Sequence, residues 1–441
     1  MIASFFFLGS ALASSPAALG IPNHGGGFAG PTQPGVYGLN YTPTAALSAS
    51  GEILVDTAII RSNFSIQLDG KDPHPRTGVT PLPSLAALVP LHERVGLGLT
   101  LGVPYARLGS GDEDGPFRMW TIEGGIILAE ARGSLAVQVH DKWTLGLGAR
   151  FGYSIFNSFV AMDTGALMYQ MYGSPADELI GDPLLEGTRE ISNGSGSGWG
   201  FTLGARFEPI PDVVFVASYA SALSTPLSAQ MDMTPSNDLA LLLRAELEGD
   251  WSYPEEFNVG LSLPVGAVML HANAEYIGWG SVSTTLANIN DAYVVSEDSF
   301  LTGVLGAYGL NDPASLGDFD TQSYSGMQNI LTGGLGVTWD PHPAWTALAA
   351  VHYTPGAIRD EYISPANVDF EGMDYRIGSQ WRPHESWELA ATLDVWVMTP
   401  RNITTSVADV YNESPLPNTP NANGDYRLGL QRLGLSSVYR F

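Results

Sequence analysis

The chain has 441 residues, no cysteine, and 45 acidic against 19 basic residues, for a formal net charge of −26. This charge argues against a nucleic-acid partner, because phosphate binding needs a basic surface. The lack of cysteine fits a compartment where thiols are a liability and no disulfide is needed, while the length suits two ordinary domains or one large β-barrel.

Residues 1–13 have the shape of a signal peptide. An apolar run from Ile2 to Leu12 overlaps a small-x-small site at Ala11-Leu12-Ala13, although no Lys or Arg stands near the start. The run is too short to cross a bilayer, so we expect export. No other run reaches the roughly 18 apolar residues of a transmembrane helix. If the chain enters a membrane, it must therefore do so as a closed barrel.

Residues 14–50 are dominated by Gly and Pro and show little alternation. A flexible linker has this composition. A wide barrel, however, has a lumen that needs filling, and larger barrels carry plugs. We therefore expect an N-terminal plug, or hatch, over residues 14–50.

Residues 51–441 are dominated by alternation of apolar and small or polar residues, which predicts β-strands. In WTLGLGARFGYSIF (143–156), apolar residues alternate with Thr, Gly, Arg and Ser. Such a polar face suits a crowded or wet barrel interior. Trp, Tyr and Phe cluster at strand ends, as expected where strands cross a lipid interface. The alternative is a large soluble sandwich with Trp in its core.

Short and long connections alternate strictly along the chain, as in outer-membrane barrels with tight periplasmic turns and long outer loops. Thirteen connections join fourteen strands, so we predict an all-β, 14-stranded antiparallel transmembrane barrel over residues 51–441, with both termini periplasmic. The final strand then ends at Phe441 and carries the terminal aromatic signal for the barrel assembly machinery. The short connections lie around 92–94, 140–142, 208–212, 264–267, 340–344 and 382–386, and the long ones near 69–82, 108–117, 161–198, 225–245, 284–327, 356–372 and 400–424.

Two of the long connections are unusually apolar for outer loops. Exposed apolar patches usually mark binding, and Met adapts to ligands of many shapes. These loops therefore form either a landing groove for a hydrophobic ligand or a lid packed on itself, and the two interpretations are compatible. The segment NDLALLLRAEL (237–247) is interpreted as a short helix. The groove residues are Leu167, Met168, Met171, Tyr172, Leu239, Leu242 and Leu243.

Arg132 and Arg150 are predicted to stand opposite each other on neighbouring strands, both facing the lumen, if Val139 and Trp143 pair across the turn. Like charges placed directly opposite are destabilising, so a partner is required. Glu130 is one candidate and gives a structural ion network. The carboxylate of a fatty acid is the other, because paired arginines can hold it bidentately.

Pro104 is placed at the outer end of the third strand, with Gly102 beside it. A proline removes a ladder hydrogen bond and is found at bulges or interruptions. In a barrel wall such an interruption is a candidate lateral gate, and an ordinary strand end is the alternative.

Other patterns give no catalytic or metal site. Four histidines fall in the short turns, far apart in sequence, and no G-x-S-x-G elbow is present. The acidic stretch GSGDEDGPF lacks calcium-loop spacing, although divalent ions could bridge such loops to lipopolysaccharide. We expect no cofactor, no metal site and no enzymatic activity.

The order and spacing of several stretches resemble the FadL-type family of outer-membrane transporters, including its TodX branch. The stretches are GGGFAG…GLNYTPTAALSA, VGLGLTLGVPYARLG, VHDKWTLGLGARFGYS, YPEEFNVGLSLP and NGDYRLGLQRLGLSSVYRF. The resemblance places the hatch motif at Gly25, Gly26, Gly27, Tyr41 and Pro43, although the family's Asn-Pro-Ala-type motif is degraded here.

The resemblance implies passive uptake of long-chain fatty acids or other hydrophobic small molecules across the bacterial outer membrane. In that scheme the ligand lands on the outer loops, the hatch shifts, and the ligand leaves sideways beside a kinked third strand. Outer-membrane lipid and lipopolysaccharide would surround the barrel. The alternatives are a general diffusion porin and, less favoured, a membrane-embedded hydrolase.

Overall fold

The computed structural model describes residues 27–110, 113–165, 180, 182–234, 241–296, 319–406 and 422–441. The predicted signal peptide, residues 1–13, and the hatch residues Gly25 and Gly26 lie outside these ranges. Within the described part, we find no helix with the length and hydrophobicity that crossing a membrane would require.

A single sheet of nineteen strand segments makes up the wall. Five of the wall strands are interrupted and consist of two segments each: β7/β8, β9/β10, β11/β12, β13/β14 and β17/β18, which leaves fourteen strands. The segments are β1 (Glu52–Leu68), β2 (His74–His92), β3 (Val95–Ser110), β4 (Glu123–His140), β5 (Trp143–Asp163), β6 (Glu186–Ile210), β7 (Val213–Ala220), β8 (Leu223–Thr234), β9 (Leu241–Tyr253), β10 (Glu256–Val265), β11 (Val268–Ile277), β12 (Thr284–Ser296), β13 (Phe319–Tyr324), β14 (Ile330–His342), β15 (Trp345–Thr354), β16 (Gly372–His384), β17 (Trp387–Met398), β18 (Arg401–Ile403) and β19 (Gly424–Arg440).

The first and last strands close the wall. β1 pairs antiparallel with both β2 and β19, and its ladder to β19 runs from the Glu52–Arg440 pair to the Leu68–Gly424 pair. The Phe441 amide N–H also donates to the Gly51 carbonyl at 3.0 Å. The protein is therefore a closed antiparallel barrel of fourteen strands, which confirms the fold predicted from alternation.

The short connections agree with the prediction. Each of the six consists of two residues, at 93–94, 141–142, 211–212, 266–267, 343–344 and 385–386. Two of these turns use positive φ angles, 67° at Asp212 and 65° at Gly266. A left-handed conformation of this kind fits the twist of a tight hairpin.

The long connections were predicted too long, because several strands continue far beyond the lipid-facing band. β2 begins at His74 inside the predicted 69–82 connection, and β6 begins at Glu186 inside 161–198. The predicted helix is also wrong from Leu241 onward, since these residues form β9 and pair with both β8 and β12, while residues 237–240 lie outside the described ranges. Pairing on both sides outweighs the helix preference of a Leu-rich segment.

The polarity of the wall reverses along the barrel axis. Here the lower wall is the half next to the two-residue turns, and the upper wall is the half next to the long connections. In the lower part of β5, Leu145 and Leu147 face outward and are about half exposed, whereas Thr144 is buried inside. On β8, in the upper part, Leu227, Ala229 and Met231 are buried, whereas Ser228 is exposed and Gln230 is partly exposed. The lower wall thus presents its apolar face to lipid, and the upper wall encloses an apolar interior.

The N-terminal segment, residues 27–50, lies against the inner face of the lower wall. It contains short 3-10 turns at Gly27–Thr32, Gly35–Tyr37 and Pro43–Ala46. Its side chains form a buried cluster with inward-facing wall residues. The cluster contains Val36, Tyr37, Leu39, Ala45 and Ala46 from the segment and Leu54, Ala86, Leu88, Ala136 and Val438 from the wall.

Candidate functional site

A large apolar cluster fills the interior of the upper barrel, here called the outer interior. Aromatic rings contribute much of it: Tyr105 stacks on Tyr253 at 5.2 Å between ring centroids and meets Trp279 edge-on at 5.9 Å. A hydrophobic molecule lying among these side chains would meet mostly apolar surface. Its members include Phe117, Trp120, Ile126, Leu128, Phe156, Leu223, Met231, Met233, Trp251, Ile289, Met327, Phe370, Trp396, Met398 and Leu430.

Beside this interior the hydrogen-bonded ladder between β2 and β3 is interrupted, and this interruption is called the opening below. The β2–β3 ladder ends at the Leu85–Leu101 pair. Above it, residues 74–84 of β2 pair only with β1, and residues 105–110 of β3 pair only with β4. The described wall therefore lacks a β2–β3 ladder over this height, at the level of the outer interior.

The predicted lateral gate residues lie at the lower edge of this opening. Pro104 is not at the outer end of the strand as predicted, because β3 continues to Ser110. Instead, the β3–β4 register shifts between Gly102 and Tyr105, which forms a bulge. A bulge accommodates the missing proline N–H and bends the strand away from its neighbour.

Arg132 and Arg150 are paired directly across β4 and β5, as predicted. The assumed turn register was wrong, since Trp143 pairs with His140 across a bulge rather than with Val139. Glu130 lies between the two guanidinium groups: Arg150 Nη2 donates to its Oε2 at 2.7 Å, and Arg132 Nε bonds to its Oε1. The three side chains form the buried ion network that was one of the two interpretations.

Each arginine of this network also reaches a backbone carbonyl. Arg132 Nη1 donates to the Asn40 carbonyl of the N-terminal segment at 2.6 Å, and Arg150 Nη1 donates to the Ser221 carbonyl at 2.8 Å. Arg132 thus connects the inner wall directly to the N-terminal segment.

A second inward ion network on the opposite wall was missed. Arg376 Nη2 lies 2.6 Å from Asp374 Oδ2, and its Nε lies 3.2 Å from Asp394 Oδ1. Arg432 forms an ion pair with Asp394, and its guanidinium carbon lies 5.0 Å from the ring centroid of Trp396. The sequence contained a signal for this network, because each of these charged residues falls at an alternating position whose side chain points into the barrel.

The predicted hatch residues that the structure describes lie close to the inner wall. The Tyr41 carbonyl accepts a hydrogen bond from Ser218 Oγ at 2.7 Å. A Cβ built on Gly146 would lie 2.8 Å from the Pro43 carbonyl carbon, so only glycine leaves room there. Gly27 begins the first 3-10 turn.

Most of the predicted groove lies outside the described residues, namely Leu167, Met168, Met171, Tyr172 and Leu239. Leu242 and Leu243 lie on β9 rather than on a helix. Both are partly buried, and Leu243 packs against the apolar cluster of the outer interior. Of the two, the structure thus brings Leu243 to the edge of the outer interior.

The segment 355–371 folds over the outer interior, a feature that the sequence did not reveal. Its Ile358, Ile363 and Phe370 side chains are almost fully buried in the apolar cluster. Arg401 fastens the segment by donating to the Asp369 carbonyl at 2.9 Å and the Ile358 carbonyl at 2.8 Å.

The buried carboxyl of Asp369 organises the same segment. It accepts hydrogen bonds from the backbone N–H groups of Ala357, Ile358 and Phe370. Burial raises the pKa of Asp369 to about 6, against the opposing effect of these donors and of Arg401. The geometry of this outer segment therefore depends on a group that titrates in mild acid.

Solved structures of similar fold cover almost the whole chain. They include a Pseudomonas aeruginosa FadL homologue (TM-score 0.74, 15% identity, 98% of this chain and 99% of that one). The P. putida toluene transporter TodX gives a TM-score of 0.64 at 15% identity over 92% and 94% of the two chains. The Ralstonia pickettii toluene transporter TbuX gives 0.64 at 13% identity over 98% and 99%. No curated protein sequence matches the chain.

The sequence model of one family matches residues 44–424, which is most of the chain. That family is described as outer membrane protein transport protein (OMPP1/FadL/TodX). The closed fourteen-stranded barrel, the outward apolar band and this match agree with one another and with a location in the bacterial outer membrane. The chain belongs to the FadL/TodX family of outer-membrane transport proteins.

Proposed function

We propose that the protein carries long-chain fatty acids or other hydrophobic small molecules passively across the outer membrane. The observation that carries this proposal is the apolar outer interior beside an opening between β2 and β3. Burial of each methylene of a hydrocarbon chain contributes about 0.8 kcal/mol. The outer interior can therefore bind such molecules well without being highly specific.

The names of the related structures support a hydrophobic cargo. Two of them are toluene transporters and one is a FadL homologue. The family consists of transport proteins, which argues against an enzyme. The buried N-terminal segment in the lower lumen argues against a general diffusion porin, which needs an open channel.

The route begins at the outer rim. We place the landing site at the apolar outer loops, which include Leu242, with Leu243 at its inner margin against the apolar cluster. From there the molecule enters the outer interior and leaves sideways past Gly102 and Pro104 into the membrane. Outer-membrane lipid and lipopolysaccharide surround the rim, and the strand ending at Phe441 serves the assembly machinery.

A fatty acid would place its carboxylate at Arg132 and Arg150. The two guanidinium groups offer the donors that a carboxylate binds bidentately, and the ligand would share them with Glu130, which bonds to both arginines, and with the charge of Glu256, which also acts on Arg132. A carboxylate there competes with the Asn40 carbonyl for Arg132 Nη1. Ligand binding would thereby loosen the N-terminal segment, which acts as the hatch.

Transport into proteoliposomes tests the proposal. The purified protein should carry a labelled long-chain fatty acid or a labelled aromatic hydrocarbon, while liposomes containing it should not swell in small sugars. Rapid swelling would support the diffusion porin instead, and ester hydrolysis by the purified protein would indicate an enzyme.

A further inference from the structure

The N-terminal segment meets the wall at the seam where the barrel closes. Glu52 at the start of β1 pairs with Arg440 at the end of β19. On the other side of β19 lies β17, where Glu388 is the ladder partner of Val438. The two carboxylates thus lie on either side of the last strand, with Arg440 available to both.

Arg440 bonds to both carboxylates. Its Nη2 donates to Glu388 Oε2 at 2.9 Å, and its Nε donates to Glu52 Oε1 at 3.2 Å. Arg382 adds a second donor to Glu388 Oε2, also at 2.9 Å. Glu52 and Glu388 are 8% and 1% exposed, so their charges need these partners.

The remaining oxygen of each carboxylate holds the N-terminal segment. The Tyr37 hydroxyl donates to Glu388 Oε1 at 2.7 Å, and the Val36 backbone N–H donates to Glu52 Oε2 at 3.0 Å. Gly35 lies beside this contact at φ 69°, and a Cβ there would be 2.5 Å from Glu52 Oε2. The backbone at 35–37 is therefore shaped to fit these two acceptors.

We propose that Glu52, Glu388 and Arg440 are positioning residues for the hatch, and that they make its docking depend on closure of the barrel by β19. Without the end of β19, the two carboxylates lose their shared cation and repel each other. Glu388 Oε1 and Glu52 Oε2 are then no longer oriented toward the Tyr37 hydroxyl and the Val36 N–H. By reciprocity, the docked segment stabilises the closed seam to the same extent.

This inference rests on the proposed role of residues 27–50 as a hatch, but docking can be measured separately from transport. Because the chain has no cysteine, a single V36C substitution reports docking. Val36 is fully buried, so a charged maleimide can label Cys only when the segment leaves the wall. The labelling rate then measures the undocked fraction.

Arg382 and Arg440 provide a matched pair, since both donate to Glu388 Oε2 at 2.9 Å and only Arg440 reaches the seam. In the V36C background, R440Q should speed labelling by about tenfold or more, as expected for loss of charge-assisted hydrogen bonds. R382Q should speed it by less than about threefold. Equal effects of the two substitutions would overturn the inference.

Y37F supplies a second test that leaves the wall intact. It should speed labelling on its own, and its effect should be clearly smaller when R440Q is also present, because the hydroxyl then faces a misplaced acceptor. The same fold-change in both backgrounds would mean that the hatch and the seam are independent. Faster labelling in R440Q with unchanged transport and leak would support the seam inference while contradicting the role of the segment as a gate.

Discussion

Arg132 and Arg150 face each other directly across β4 and β5 in the barrel interior, and Glu130 bonds to both. Substituting E130Q should remove the one carboxylate that bonds to both of these opposed guanidinium groups. Removal of one member of a buried ion network costs about 3–5 kcal/mol. We expect the free energy of unfolding in urea, measured in lipid vesicles, to fall by about that amount.

The matched control is Glu208, whose carboxylate lies 3.5 Å from Arg206 at the rim and is 39% exposed. An exposed pair contributes about 0–1 kcal/mol, so E208Q should change the unfolding free energy little. Similar losses in the two variants would mean that Glu130 does not balance the arginine pair.

The arginine pair should also discriminate between ligands. In the R132Q/R150Q double variant, affinity for a long-chain fatty acid should fall about 10- to 100-fold, the effect of losing charge-assisted hydrogen bonds. Affinity for a neutral hydrocarbon of similar length should remain. Titration calorimetry in detergent measures both, and equal loss for the two ligand classes would remove the carboxylate from this site.

Seating of the proposed hatch should depend on Gly96 of β3. A Cβ at Gly96 would lie 2.0 Å from the Ala46 carbonyl oxygen, whereas a Cβ at Gly133 of β4 meets nothing within 4 Å. G96A should therefore displace the hatch at a cost of about 1–3 kcal/mol and raise the single-channel conductance in planar bilayers. G133A should behave like the natural protein. A closed, unchanged G96A channel would show that residues 43–46 do not control the lumen.

The outer segment 355–371 should loosen as pH rises. Burial raises the pKa of Asp369 to about 6, above the value of about 3.9 in an unfolded chain. The stability that proton binding contributes is therefore fully present below about pH 4 and is lost as pH rises through about 6, a change of about 3 kcal/mol.

Hydrogen exchange of the Ala357 and Ile358 amides measures this effect, since both N–H groups donate to Asp369. After correction for intrinsic exchange rates, protection should be higher at pH 4 than at pH 7. D369N should abolish the difference, and protection that increases with pH in the natural protein would contradict the assignment.

The alternation of residues was sufficient to predict the barrel, because a membrane barrel imposes opposite polarities on its two faces. The pairing of Arg132 with Arg150 was predicted from an assumed Val139–Trp143 pair; that pair is wrong, but the bulge at Val139 leaves the register of the two strands beyond it unchanged. The strand extensions did not follow, because above the lipid the polarity reverses. There β9 places Leu247 and Trp251 inside and charged residues outside, like any water-soluble sheet.

The interior contacts of the outer segment 355–371 and of residues 27–50 could not be predicted from the sequence, for a different reason. Phe370 packs on Phe64 of β1, more than 300 positions earlier, with ring centroids 6.2 Å apart. The Tyr37–Glu388 bond likewise joins residues 351 positions apart. Such contacts depend on closure of the whole ring, which no local pattern encodes.

The central claim is that a hydrophobic molecule leaves through the opening between β2 and β3. The most direct test is uptake of a labelled fatty acid by proteoliposomes containing S84C/G102C, whose cysteines lie just beyond the last ladder pair, Leu85–Leu101. L85C/L101C, which joins the last ladder pair itself, is the matched control. The account predicts that oxidation blocks uptake in S84C/G102C, that reduction restores it, and that the control is unaffected. Undiminished uptake through a fully cross-linked S84C/G102C barrel would contradict it.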